Sequence, residues 1–323
     1  MANMAQHFLL SAGSRTLSLK AIYKAGEAKA YETFCKMRWP ETDGEAVCPR
    51  CGFDQTYFLK TRRKYECKAC KHHFSVTSGT IFHARKLDFT DLLAAICIIV
   101  NSAKGVSAVQ LSRDLDVQYK TAFVLAHKLR EAMGDETDRI LADGVAEIDG
   151  AYFGGHVRPA NLRENRKDRR LKRHQTGTRR VVVAIRDRDG RTLTTVTRRE
   201  SEGLAFAMKR IKPGTVVHAD EATHWDALED SFPTYRINHS EAYSLNGACT
   251  NQAESFFSRL RRMIEGQHHG VSPKHLHAYA THAAWLEDHR REANGTLAGR
   301  ALQNALWAPV SRTWAGYWQR ANG

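Results

Sequence analysis

The sequence predicts an α/β domain preceded by two small modules, a four-cysteine metal-binding ribbon and a helical segment. Three observations carry this. Two cysteine pairs, Cys48 with Cys51 and Cys67 with Cys70, stand fifteen residues apart. A three- and four-residue apolar cadence (Leu92, Leu93, Ile96, Ile99, Val100) opens a helical stretch from about Phe89 to Met133. After Gly144 the pattern changes to β-rich runs, and from Thr250 to about Arg291 it returns to helix.

The length of 323 residues suits two domains with a small extra module, and 42% hydrophobic residues suffice for a real core. The net charge of +14 favours a polyanionic partner, because each neutralised phosphate releases condensed counterions. No apolar run of about 18 residues and no basic amphipathic helix speaks for a membrane. The first twenty residues have a short apolar patch but no secretory signal, and the seven cysteines are not spaced as a disulfide framework. A cytoplasmic protein is expected.

The cysteine quartet has the spacing of a structural zinc site. Each pair supplies two thiolates from one tight bend, and four thiolates leave no open position on a tetrahedral ion. Gly52 follows the first pair, where a positive φ is often needed. Short strands are expected at Thr56–Leu59 and Tyr65–Cys67. The surrounding Arg50, Lys60, Arg62, Arg63, Lys64 and Lys68 lean towards nucleic acid.

Gly105 to Ala122 has the cadence of a helix-turn-helix. Ser107 caps a first helix with Val109, Leu111 and Leu115 inward, and Asp116 with Val117 makes the turn. Gln118 to Arg130 forms a second helix. Gln118, Tyr119, Lys120 and Lys128 are its candidate DNA contacts. Further on, Arg158 to Arg180 holds ten Lys or Arg against two acids. It reads either as a solvated loop or as a phosphate-contacting one, with Arg169, Arg170, Lys172 and Arg173 as candidate contacts.

Three acids remain. Asp149 ends the β run from Val145, and Asp220 ends the run from Val216. Burying a strand-end carboxylate is costly unless a partner such as a divalent cation compensates. On a helix from Thr250, Asn251, Glu254, Ser258 and Arg261 fall on one polar arc, opposite Phe256, Phe257, Leu260, Met263 and Ile264. Two strand-end aspartates and a helix-borne glutamate are what two-metal phosphoryl chemistry requires, with hard oxygen ligands for Mg²⁺ or Mn²⁺.

These segments together resemble the bacterial insertion-sequence transposases of the DDE class that carry an N-terminal zinc ribbon. The similar residues are Arg38 to Pro40, Cys48 to Gly52, Cys67 and Cys70 followed by Phe74 to Phe82, Glu147 to Gly155, His218 to Glu221, and Thr250 to Arg262. The resemblance implies a ribonuclease-H-like mixed sheet with flanking helices. It implies Asp149, Asp220 and Glu254 as the metal triad, with Asn251 as the alternative third ligand, and Arg261 as a phosphate contact. The chain then divides into a helical lead-in (1–44), the ribbon (45–82), the helix-turn-helix (83–135), the catalytic domain (140–295) and a tail (296–323). One departure stands out: relatives tend to carry a glutamate in the helix near Tyr279 to Trp285, where this chain has Thr281 and His282.

The implied activity is end cleavage at terminal inverted repeats and transfer of the freed 3′-hydroxyl to target DNA. Arg259, Arg261 and Arg262 would hold phosphates. Work on two ends implies a homo-oligomer on DNA, nucleoid-associated when bound. Rival readings are a catalytically silent DNA-binding descendant, a ribonuclease-H-like nuclease or resolvase, and a zinc protein of ribosomal RNA.

Overall fold

The computed structural model describes residues 7–138, 140–155, 160–168, 171, 174, 177–237 and 249–320. Arg169, Arg170, Lys172 and Arg173 lie outside the described residues. The chain forms two compact units, one of Met1–Glu136 with His289–Gly323 and one of Thr137–Asp288.

In the first unit, α1 (Leu19–Arg38) is capped by Ser18, whose hydroxyl accepts from Ala21 N at 3.1 Å. Gly26, at φ +76°, interrupts it. It ends ahead of Pro40, as the residue before a proline disfavours helix. The ribbon is an antiparallel sheet of β1 (Thr56–Leu59), β2 (Lys64–Cys67) and β3 (His73–Phe74). Tyr65 on β2 packs between the rings of Trp39 and Phe74 at 5.6 Å from each. α2 (Phe89–Asn101) is apolar nearly all round and correspondingly buried.

α3 (Ala108–Asp114) and α4 (Tyr119–Thr137) follow, and Ser107 caps α3 by accepting from Gln110 N at 3.1 Å. Asp116 makes the turn between them at φ +50°. Leu111 and Leu115 point inward, but Val109 is 47% exposed. Two residues apart on a helix is a rotation of about 200°, so Val109 and Leu111 cannot share the inner face. The C-terminal segment, which sequence reading left as a tail, contains α8 (Asn294–Trp307). Leu297, Ala298, Ala301, Leu302, Ala305 and Leu306 form its buried side, and it packs on α1 and α2. Trp314 is buried and stacks on His127 at 4.2 Å, whereas Trp307 is exposed.

The second unit is built on a five-stranded mixed sheet in the order β6-β5-β4-β7-β8. β4 (Val145–Phe153), β5 (Arg180–Asp187) and β6 (Thr192–Thr197) are antiparallel, and β7 (Val216–Asp220) and β8 (Thr234–Ile237) run parallel to β4. Side chains alternate between the faces. Ala146, Ile148, Val181, Val183 and Ile185 meet Ala207 of α5 (Gly203–Arg210) and Trp225 on one face. Ala151, Phe153, Val182 and Ala184 meet α6 (Asn251–Arg261) and α7 (Leu276–Asp288) on the other. This is the mixed sheet with flanking helices that the resemblance implied. No helix among the described residues is long and apolar enough to cross a membrane.

Candidate active site

β4 and β7 pair in parallel as far as Ile148 with Ala219. The next residue on each strand is Asp149 and Asp220, so the two carboxylates emerge side by side. Both are half-buried, and a third carboxylate joins them: ligand atoms of Asp149, Glu200 and Asp220 all lie within 4.8 Å of one another. Glu200 stands in the turn between β6 and α5. Sequence reading missed it. It follows a β run by three residues, as an acid near a strand end, but it sits beside Arg198 and Arg199 and reads as a surface residue.

Two glycines admit Glu200. A Cβ on Gly150 would lie 2.3 Å from Glu200 Oε1, and one on Gly203 would lie 2.8 Å from Val183 Cγ2 and 3.1 Å from Trp225. The first keeps β4 open to the carboxylate, and the second lets α5 start tight against the sheet. The turn after β7 is held as well. Arg236 Nε donates to Asp220 O at 2.7 Å and Nη2 to Ala222 O at 2.8 Å, and Ala222 N donates to Asp220 Oδ1 at 3.2 Å.

The cluster carries more negative charge than its surroundings neutralise. Burial pushes the Asp149 carboxyl up to about 7, and the charges of Asp220, Glu200 and Glu254 add to this against a hydrogen bond from Gly150 N. Burial also pushes Glu200 up to about 7, with Asp220 contributing. His224 Nε2 lies 3.9 Å from Glu200 Oε1, yet burial holds its pKa below the usual histidine value. Converging oxygen donors that resist ionisation on their own suit a hard divalent cation.

Glu254 is exposed in the first turn of α6, outside this close cluster, but near enough to act on Asp149. Asn251 and Arg261 are exposed on the same helix, while Phe256, Phe257 and Leu260 are buried. Arg261 lies over the Phe153 ring, 5.9 Å from its centre. Arg259 is paired with Glu287, and Arg262 donates to Ser258 Oγ at 3.0 Å. Thr281 and His282, where relatives tend to have an acid, are buried. The buried acid of α7 is instead Glu287, which also lies 3.3 Å from Arg186.

A pocket of about 480 Å³ is lined by Tyr152, Gly177, Arg179, Arg180, Arg198 and Arg199. Arg179 stacks over the Tyr152 ring at 4.1 Å. In the first unit, Gln118, Tyr119 and Lys120 are exposed at the start of α4. Lys128 is half-buried, and its pKa is lowered by that burial. Lys120 lies over the Trp318 ring at 5.3 Å.

The four cysteines converge in the ribbon. Cys48 and Cys70 sulfurs are 3.6 Å apart, as are those of Cys51 and Cys67. Thiolates 2.3 Å from a tetrahedral zinc stand about 3.8 Å apart, so the quartet fits that ion. Gly52 and Lys71 have φ of +74° and +56°, and each closes its bend by donating to the first cysteine's carbonyl.

A four-thiol ribbon in one unit and converging carboxylates on a mixed sheet in the other are the parts of a zinc-ribbon transposase of the DDE class. The chain belongs to the insertion-sequence transposases of that class: residues 141–288 match the family model of the ISXO2-like transposase domain, and residues 25–73 that of the transposase zinc-ribbon domain. A comparison with curated proteins gave no match.

Proposed function

We propose that this transposase cuts the ends of its own insertion sequence and joins them to target DNA, using divalent cations held by Asp149 and Asp220. The observation that carries the reading is the convergence of these two carboxylates on adjacent parallel strands, Asp149 midway along β4 and Asp220 at the end of β7, with Glu200 within 4.8 Å. Glu254 or Asn251 on α6 completes the ligand set. When bound, Mg²⁺ or Mn²⁺ neutralises the crowded carboxylates and acidifies the attacking hydroxyl.

The chain's own residues bind and orient DNA. Arg179, Arg180, Arg198 and Arg199 line one pocket, where their guanidinium groups hold a phosphodiester. Arg261 adds a contact from α6. The zinc ribbon, a structural site with its four positions taken by cysteine, and the exposed start of α4 recognise the terminal inverted repeats. Two ends are handled by a homo-oligomer.

The test is cleavage of a duplex bearing the element's own terminus, with Mg²⁺ or Mn²⁺. Wild type should nick the end and transfer it to an unrelated plasmid. Asp149→Ala and Asp220→Ala should bind the end but leave it uncut. A wild type that binds the end without cutting is a DNA-binding descendant, and one that cuts without joining is a nuclease. If Asn251→Ala is inactive and Glu254→Ala active, Asn251 is the third ligand.

A further inference from the structure

Glu147 lies two residues before Asp149 on β4, so both side chains leave the strand on the face covered by α6. Its residue is 0% exposed. A carboxylate buried in a sheet needs compensation, and its partners show what provides it. Glu147 Oε2 accepts from Gln252 N at 2.8 Å and from Ala253 N at 3.1 Å. Oε1 accepts from the Cys249 thiol at 3.5 Å and lies 4.0 Å from Arg188 Nε.

Gln252 and Ala253 are the second and third residues of α6. Their amides are among those that a helix leaves without partners in its own backbone. The residue preceding the helix, Thr250, makes no side-chain cap bond. The cap is supplied from the strand instead. A second contact holds the approach to the helix: Cys249 N donates to His218 Nδ1 at 3.1 Å, and His218 is paired with Glu147 across β4 and β7. Arg188 Nη2 donates to the Cys249 sulfur at 3.3 Å.

We propose that Glu147 is a positioning residue: its carboxylate locks the start of α6 to the strand of Asp149, which holds Asn251 and Glu254 at the cation site. This rests on the proposed metal-dependent reaction. Glu147 is not itself a ligand, because both of its oxygens already accept hydrogen bonds and its side chain is sealed from solvent. The seam joins the two elements that must converge for a third ligand to reach the site. A helix start that slipped along the sheet would carry both candidate ligands with it.

The test compares three variants of the full-length zinc-loaded protein. Glu147→Leu removes both acceptors, Glu147→Asp withdraws the carboxylate by one methylene, and Glu147→Gln keeps one acceptor oxygen for the amides. Three readouts are taken: Mn²⁺ affinity by paramagnetic titration, hydrogen exchange at the Gln252 and Ala253 amides, and cleavage kcat with KM for the DNA end. Leu and Asp should weaken Mn²⁺ binding about 10- to 100-fold, the usual cost of losing a residue that orients ligands. They should speed exchange at both amides and lower kcat about 100-fold with little change in KM, as small misplacements do. Gln should rescue all three to within about threefold, since it retains the acceptor.

Unchanged Mn²⁺ affinity and exchange in both Leu and Asp would overturn the proposal. So would a Gln variant as impaired as Leu, which would make the charge itself the requirement. Should Leu fail to fold, Asp against Gln decides. Should wild type not cleave at all, the proposed function falls, but Mn²⁺ affinity and amide exchange still decide whether Glu147 sets the helix.

Discussion

Residue 150 carries no side chain, and the space where its Cβ would stand is taken by Glu200, whose Oε1 would be 2.3 Å away. The glycine therefore decides whether the third carboxylate of the close cluster can approach Asp149. Nothing about its φ demands glycine, since it lies in the regular course of β4 and is absent from the positive-φ positions. Close approach alone explains it.

Gly150→Ala should accordingly expel Glu200 and weaken Mn²⁺ binding about 10- to 100-fold, by the same scale as loss of a residue that supports a metal site. Glu200→Gln should do likewise with Gly150 intact, and the double variant should add little to either, as expected of residues acting through one contact. Isothermal or paramagnetic titration measures this. Wild-type affinity in Gly150→Ala would remove Glu200 from the site.

The ribbon should depend on its ion. Elemental analysis is expected to give one zinc per chain, and Cys67→Ser to abolish it. Structural zinc in small modules binds with on the order of 10 kcal/mol that doubles as folding energy. Chelation should therefore unfold β1 to β3 and abolish end-specific DNA binding. Retention of ribbon structure after chelation, read by hydrogen exchange over residues 45–75, would contradict this.

Arg198→Ala and Arg199→Ala should weaken DNA binding to a similar degree on every sequence, because guanidinium–phosphate contacts carry no base information. Each loss should reduce the slope of log affinity against log salt by about 1. A change in sequence preference with the slope intact would show that these arginines read bases instead.

Asp288, at the end of α7, accepts from Thr192 N at 2.9 Å and Thr192 Oγ1 at 2.6 Å. Burial nevertheless pushes its carboxyl up to about 7, outweighing those donors and the nearby Arg186 guanidinium. The folded value lies above the unfolded one of about 3.9. Its favourable contribution is thus complete below about pH 4 and is lost as pH rises through 7. Wild type should lose more stability than Asp288→Asn between pH 5 and pH 8 in denaturant titrations. Parallel pH profiles would count against the assignment.

Spacing and period made much of this molecule readable. The cysteine quartet needs only local turns, and β4, β5, β6 and β7 announce themselves as β-rich runs. α6 shows its apolar and polar sides in a single stretch. β8 and α5 were harder, since four residues of strand and eight of helix carry little periodic signal. α8 was legible in principle from Leu297, Ala298, Ala301 and Leu302, but it carries no chemical motif.

The close cluster was only half visible. Asp220 ends β7, as its sequence run suggests, but Asp149 does not end its strand: β4 runs on past it through Gly150 to Phe153, held by continued pairing with β5. Glu200 reaches them only because Gly150 and Gly203 make room, which is a property of the folded sheet. Glu147 misleads for a related reason. Its place in an alternating strand suggests a polar outer face, but that face is covered by α6.

The chain leaves its first unit after Glu136 and returns to it at His289, with α8 laid against α2. The apolar side of α2 that α8 covers is therefore made early in synthesis and closed late, after the whole intervening unit has emerged. While a ribosome is still working through residues 137–288, that surface has no native cover, and chains that stop short of α8 would expose it permanently. A nascent molecule of this transposase completes its first unit only once α8 has left the ribosome.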